Sequence, residues 1–117
     1  MESLLDRVFA LSPDIRYVAL LHRGRLTSAA RAGLSNASAS ESDKYEELLV
    51  NPTLLTLATR RGEIDCGGLA YLVLRYGSFF ELVYPIADGH LSIGIEPHAD
   101  PLALVPGVRA VAESLEA

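Results

Sequence analysis

Several things are scarce in this 117-residue chain, and each scarcity closes a class of function. There is one cysteine, Cys66, so an internal disulfide and a cysteine metal cluster are both excluded, and a reducing compartment suits the chain. Positive charge is short: ten Lys and Arg stand against fifteen Asp and Glu, a formal charge of −5 that argues against a nucleic-acid partner. No apolar run approaches the ~20 residues of a membrane span, and Met1-Glu2-Ser3 lacks the basic start and apolar core of a secretory signal. A cytoplasmic protein with no membrane span is expected.

Catalytic signatures are missing as well. Gly62, Gly67 and Gly68 cluster, yet no Lys-Ser/Thr pair and no helix follows them, so no phosphate loop is formed. His22, His90 and His98 do not share a ligand-type spacing; only His98 and Asp100 are close in sequence. Cys66 has no neighbouring base to activate it and reads as a small half-buried residue at a strand start. No catalytic, cofactor or metal residue is assigned, and the chain is expected not to be an enzyme.

Half the residues are hydrophobic, and the length suits one domain over residues 1–117. The organising stretch runs from Ile64 to Glu96, three apolar runs divided at Tyr76-Gly77-Ser78 and at Ala87-Asp88-Gly89. Gly77 and the Asp88-Gly89 pair are expected to supply the positive φ of tight hairpin turns. The stretch predicts an antiparallel meander with strands near 66–76, 79–86 and 90–96. In its first strand Ala70, Leu72, Leu74 and Tyr76 face one way and Leu69, Tyr71, Val73 and Arg75 the other, both sets largely apolar, as in a strand covered on both sides.

Ahead of the meander, Leu4, Leu5, Val8 and Phe9 fall at helical spacing over residues 1–11, with Ser12-Pro13 as the stop. Strands follow at 15–22 and 25–32, joined at Arg23-Gly24. A small-residue loop (33–40) leads to a leucine-rich helix from 41 to about 61, in which Asn51-Pro52 predicts a kink or a restart. Gly62 is its expected end. The chain closes with a short turn at 101–104 and a helix over 106–116 whose inward stripe is Val108, Val111, Ala112 and Leu115.

The order α-β-β-α-β-β-β-α predicts an α+β fold built on a five-stranded antiparallel sheet of order 2-1-5-4-3. The central helix carries more apolar surface than one sheet face of this size needs, which points to a dimer. Should register set Glu81 opposite Arg75, the pair reads as structural; Tyr17, Tyr71, Tyr76 and Tyr84 read as core residues whose hydroxyls reach water or backbone, with lining of a pocket between sheet and helices as the alternative. Arg16, Arg23, Arg25 and Arg31 make the first hairpin the most basic part of the chain, a candidate partner patch.

The element order resembles that of Roadblock/LC7 domains, which have a profilin-like fold, and in particular small archaeal proteins of roadblock type. The resemblance is carried by Ile15-Arg16-Tyr17 with Gly24, by Arg31, by Arg60-Arg61 ahead of Gly67-Gly68 and Tyr71, by Tyr84-Pro85-Ile86, and by Leu91-Ser92-Ile93. It implies a non-enzymatic homodimerising module, regulatory or scaffolding, of the kind that serves as a platform for a small GTPase. The implied interface is residues 41–61 and 66–76, with Tyr45, Leu48, Leu49, Leu55, Ala70, Leu72 and Leu74 at the contact. A small-ligand sensor of the PAS or GAF kind has a similar element order and is the alternative; it requires a cavity between sheet and central helix.

Overall fold

The computed structural model describes residues 2–116. Its elements in chain order are α1 (Leu4–Phe9), β1 (Ile15–His22), β2 (Arg25–Ala30), α2 (Ser40–Tyr45), a π-helical turn (Glu46–Val50), α3 (Asn51–Asp65), β3 (Leu72–Arg75), β4 (Phe80–Ile86), β5 (Gly89–Ile95), a 3₁₀ turn (Pro101–Leu104) and α4 (Val105–Glu116). The five strands form one antiparallel sheet of order β2-β1-β5-β4-β3, as the hairpin signals required. β5 is therefore central, and β2 and β3 are the edges.

One sheet face carries the main hydrophobic core. Ile15, Val18, Leu82, Leu91, Ile93 and Ile95 pack there against Leu5 and Val8 of α1 and Val105, Val108, Val111 and Ala112 of α4. Helix α1 is too short to hold itself together in water. It is fixed by a capping box, in which Ser3 Oγ accepts from the Asp6 amide and the Asp6 carboxylate accepts from the Ser3 amide, and by docking on α4. In α4 the inward valines recur at helical spacing, and Gly107 lets Leu11 approach so closely that a Cβ there would stand 2.8 Å from Leu11 Cδ2.

A bulge between Ile15 and Tyr17 resets the alternation of β1. Strict alternation would put Ile15 and Tyr17 on one face; instead Ile15 joins Val18 in the main core, and Tyr17 turns toward the central helix. The β1–β2 turn uses Arg23 (φ 54) and Gly24 (φ 80). In the β4–β5 turn only Asp88 (φ 61) is left-handed; Gly89 is needed for a different reason, because its Cα passes so near Leu21 that a Cβ would fall 1.8 Å from the Leu21 carbonyl oxygen. Gly77 has neither a positive φ nor a crowded Cβ position.

Three boundaries differ from the sequence expectation. The central helix does not restart at Asn51-Pro52: helical conformation runs unbroken from residue 40 to residue 65. Proline lacks the N–H that a regular turn needs, and the chain absorbs this by widening the preceding turn, where the Asn51 amide donates to Glu46 O, five residues back. Gly62 does not end the helix either. It is buried inside α3 because Gly68 folds back onto it, 2.7 Å from where a Cβ would sit; the real stop is left-handed Gly67 (φ 78), after which the Gly68 amide donates to Gly62 O. Finally, β3 spans only Leu72–Arg75. Gly67 and Gly68 both hold positive φ, so the chain from 66 to 71 is not strand, and Ala70 is exposed outside the sheet.

Candidate functional site

Over the π-helical turn the usual amphipathic arrangement is inverted. Glu47 and Asn51, spaced to share one helix face, are fully buried against the sheet, while Tyr45, Leu48 and Leu49 are 61%, 54% and 51% exposed. Large apolar side chains thus stand out in a row while a carboxyl group is folded in, the reverse of the usual arrangement. Leu57 and Ile64 are also exposed farther along α3. Leu55, Leu72 and Leu74 are half-buried. Edge strand β3 has β4 as its one neighbour, so its outer backbone groups face away from the sheet.

The inward residues form a polar network beneath this ridge. His90 Nε2 lies 2.8 Å from Glu47 Oε1, which also accepts from Asn51 Nδ2 at 3.0 Å. Asn51 Nδ2 reaches Ser92 Oγ at 3.5 Å, and Ser92 Oγ donates to Glu81 Oε1. His90 and Ser92 alternate on β5 and so share a face; Glu81 comes from β4 beside them. Burial pushes the Glu81 carboxyl well above its ordinary value, and the nearby Glu47 carboxylate adds to that. Two buried oxygens in the cluster, Glu47 Oε2 and Asn51 Oδ1, have no hydrogen-bond partner, and Tyr17 Oη is a third, with Ser28 alongside but outside bonding geometry.

Glu81 does not pair with Arg75. Register places Leu74 opposite Glu81 and Phe80 opposite Arg75, so the two charges project from opposite sheet faces. Arg75 instead caps its own turn, donating to Gly77 O at 3.1 Å and to Tyr76 O, with its guanidinium 4.9 Å from the Phe80 ring centre.

Beside the network a pocket of about 280 Å³ opens between the sheet and the first turns of the central helix. Tyr17, Glu47 and Glu81 line it toward the sheet and helix, Tyr76 and Phe79 stand at the β3–β4 turn, and Leu34, Ala37 and Ser38 of the small-residue loop complete it. Tyr76 Oη donates to Glu46 Oε1 at 2.6 Å, joining that turn to the helix.

The four arginines of the first hairpin have separate surroundings. Arg16 is 5% exposed, paired with Glu96 at 3.0 Å, donating to Ser35 O at 2.7 Å and lying over Phe79. Arg31 donates to Ile15 O, Phe9 O and Ser12 O and covers the Phe9 ring, which ties β2 to α1. Arg23 and Arg25 are exposed near the β1–β2 turn, with Asp88 3.7 Å from Arg23. Of the histidines, His98 is at the surface, 3.0 Å from Asp14, and Cys66 is exposed beside Arg61 and Asp65. Among the described residues no three His, Cys, Asp or Glu side chains converge as a metal site, and no helix is long and apolar enough to cross a membrane.

No protein-family model and no curated protein matches the sequence. Solved structures do. The Roadblock/LC7 domain from Streptomyces avermitilis superposes with a TM-score of 0.74 at 16% identity, over 97% of this chain and 92% of that one. The fold is that of a Roadblock/LC7 domain. An MglB with a tetrameric arrangement matches at TM-score 0.73 and 13% identity, over 96% and 82% of the two chains. Myxococcus xanthus MglB matches at 0.66 and 10%, over 96% and 90%. At these identities it is the Roadblock-like architecture that is shared, from sheet order to central helix.

The buried network was not readable from the sequence. Glu47 and His90 lie 43 positions apart, and Glu47 sits in an acidic helix start that reads as solvated. The one available signal was Glu81, a lone carboxyl inside the apolar run Phe79–Ile86.

Proposed function

We propose that this chain is a non-enzymatic, homodimerising regulatory or scaffolding module whose dimer presents a platform to a protein partner such as a small GTPase. The observation carrying this reading is the exposed ridge of Tyr45, Leu48 and Leu49 standing over a buried polar network beside an open sheet edge. A second copy would bury that ridge against its own equivalent, and β3 against β3 would continue the sheet across the two-fold axis. Leu55, Leu72 and Leu74 lie at the margin of that contact and Ala70 just outside β3. Stable dimers bury roughly 800 Å² per partner, so the helix face and the strand edge would be used together. One MglB of similar fold has a tetrameric arrangement, which fits a Roadblock-like domain that assembles with itself. Arg23 and Arg25, both exposed, would stay outside the interface and are the basic positions turned toward a further partner.

The test is solution mass by light scattering on wild type and on Leu48→Asp with Leu49→Asp, with folding followed by circular dichroism. A dimer that these changes split into folded monomers supports the proposal. A wild type that stays monomeric at about 100 μM, far above the Kd of a functional dimer, sinks it.

The pocket between sheet and central helix is what the sensor reading required, and it supports a ligand-binding role alongside the first.

A further inference from the structure

We infer that the pocket beneath the central helix binds a small organic cation bearing a primary ammonium or guanidinium group. This goes beyond the dimer reading and does not depend on it.

Charge is the first argument. Asp43, Glu46, Glu47 and Glu81 line the pocket against one cation, Arg16, whose guanidinium is already engaged by Glu96 and by two carbonyl oxygens of the adjoining loop. Asp43 accepts from Ser38, and Glu46 from Tyr76, so two of the four have neutral donors only. Burial also raises the Glu46 carboxyl above its ordinary value, as it does Glu81. A bound cation would relieve this crowding of acids.

The second argument is independent of charge. Glu47, one of the residues lining the pocket, is fully buried; His90 and Asn51 take up its Oε1, and Oε2 is left without a partner. Tyr17 Oη, from another lining residue, is buried and unpartnered too. Buried acceptors in folded proteins are nearly always satisfied. A carboxylate oxygen can only accept, so the group missing at Glu47 Oε2 is a donor, which a quaternary ammonium or a neutral hydrocarbon cannot provide, and the Tyr17 hydroxyl can accept from the same donor.

The walls decide between a metal ion and an organic one. Tyr17, Tyr45, Tyr76 and Phe79 surround the space, and such rings attract cations with apolar bodies through their faces and cover the attached carbons. No three metal-ligating side chains converge among the described residues. The volume of about 280 Å³ suits a small diamine or guanidino-amine rather than a bare ion.

The experiment is isothermal titration calorimetry of the full chain with putrescine and with agmatine, and with tetramethylammonium and 1-butanol as controls. Saturable one-to-one binding of either amine is expected, weakened about tenfold or more in Glu47→Gln, with both controls weaker than the amines. Absence of saturation by both amines up to about 10 mM overturns the proposal, as does equal binding by folded Glu47→Gln or by the controls. Should Glu47→Gln fail to fold, Glu46→Gln at the half-buried wall replaces it; unchanged amine affinity there also overturns the proposal. Repeating the titration on Leu48→Asp with Leu49→Asp separates the two readings, because amine binding by a folded monomer, or by a wild type that never dimerises, leaves this inference standing.

Discussion

Glu47 Oε1 lies 2.8 Å from His90 Nε2, both side chains are about 1% exposed, and the contact joins the π-helical turn to the central strand β5. It explains how a helix with its leucines turned outward stays attached to the sheet. The inward side is held by hydrogen bonds among Glu47, Asn51, His90 and Ser92 where a helix of this length ordinarily uses apolar packing.

Breaking that contact from one side should be far worse than removing it whole. His90→Ala leaves Glu47 buried without its main donor and is expected to destabilise the fold by about 3 kcal/mol. The double change Glu47→Leu with His90→Leu removes both buried polar partners and should recover much of that loss. Urea unfolding of Glu47→Leu, His90→Leu and the double variant measures the coupling; additive effects would show that the pair does not act as a unit.

The pH dependence of stability follows from Glu81. Its carboxyl titrates well above the ordinary 4.5 in the folded chain, through burial first and the Glu47 carboxylate second. The folded state holds that proton more tightly than the unfolded state does. The stabilisation is therefore complete below about pH 4.5 and is lost as pH rises toward the folded value, at up to about 1.4 kcal/mol per pH unit. Glu81→Gln should flatten this decline above pH 4.5, measured as unfolding free energy against pH, and an unchanged slope would assign it to another group.

Two glycines should respond oppositely to the same substitution. Gly89→Ala would drive a Cβ to 1.8 Å from Leu21 O at the turn end of the β1–β5 ladder, and a loss of more than about 3 kcal/mol is expected. Gly77→Ala meets nothing within 4 Å and has an ordinary φ, so its effect should stay within about 1 kcal/mol. Thermal unfolding of both variants checks the pair.

Leucines of the ridge and of the core should separate by readout. Leu48→Ala and Leu49→Ala are expected to weaken self-association with little change in monomer stability, since both side chains are about half exposed. Leu91→Ala, fully buried in the central strand, should cost about 2–5 kcal/mol of folding free energy. Sedimentation equilibrium and urea unfolding on the same samples distinguish the two effects.

The sheet order was legible because the turns are local: Arg23-Gly24 and Asp88-Gly89 fix their hairpins within a few residues, and the helical crossover leaves one sensible closure. Register was not legible. A bulge at Arg16 changes which side of β1 is dry, and the offset between β3 and β4 separates Arg75 from Glu81. Asn51-Pro52 was misread because proline's missing N–H breaks a regular helix but not a widened one. The excess of apolar surface on the central helix was legible in its leucine content, whereas the polar network beneath it needed contacts between residues about forty positions apart.

The widened turn at Glu46–Val50 also sets a phase. Such a turn holds about one residue more than an α-helical one, which offsets everything before it by roughly 100° about the helix axis relative to α3. Deleting one residue there would leave α3, the sheet and the main core in place but swing α2 around by that angle, carrying Tyr45 off the surface it now shares with Leu48 and Leu49. What this helix shows to the outside is thus encoded by a residue count as much as by residue type, and a single-codon deletion would redraw the surface with scarcely any change in composition.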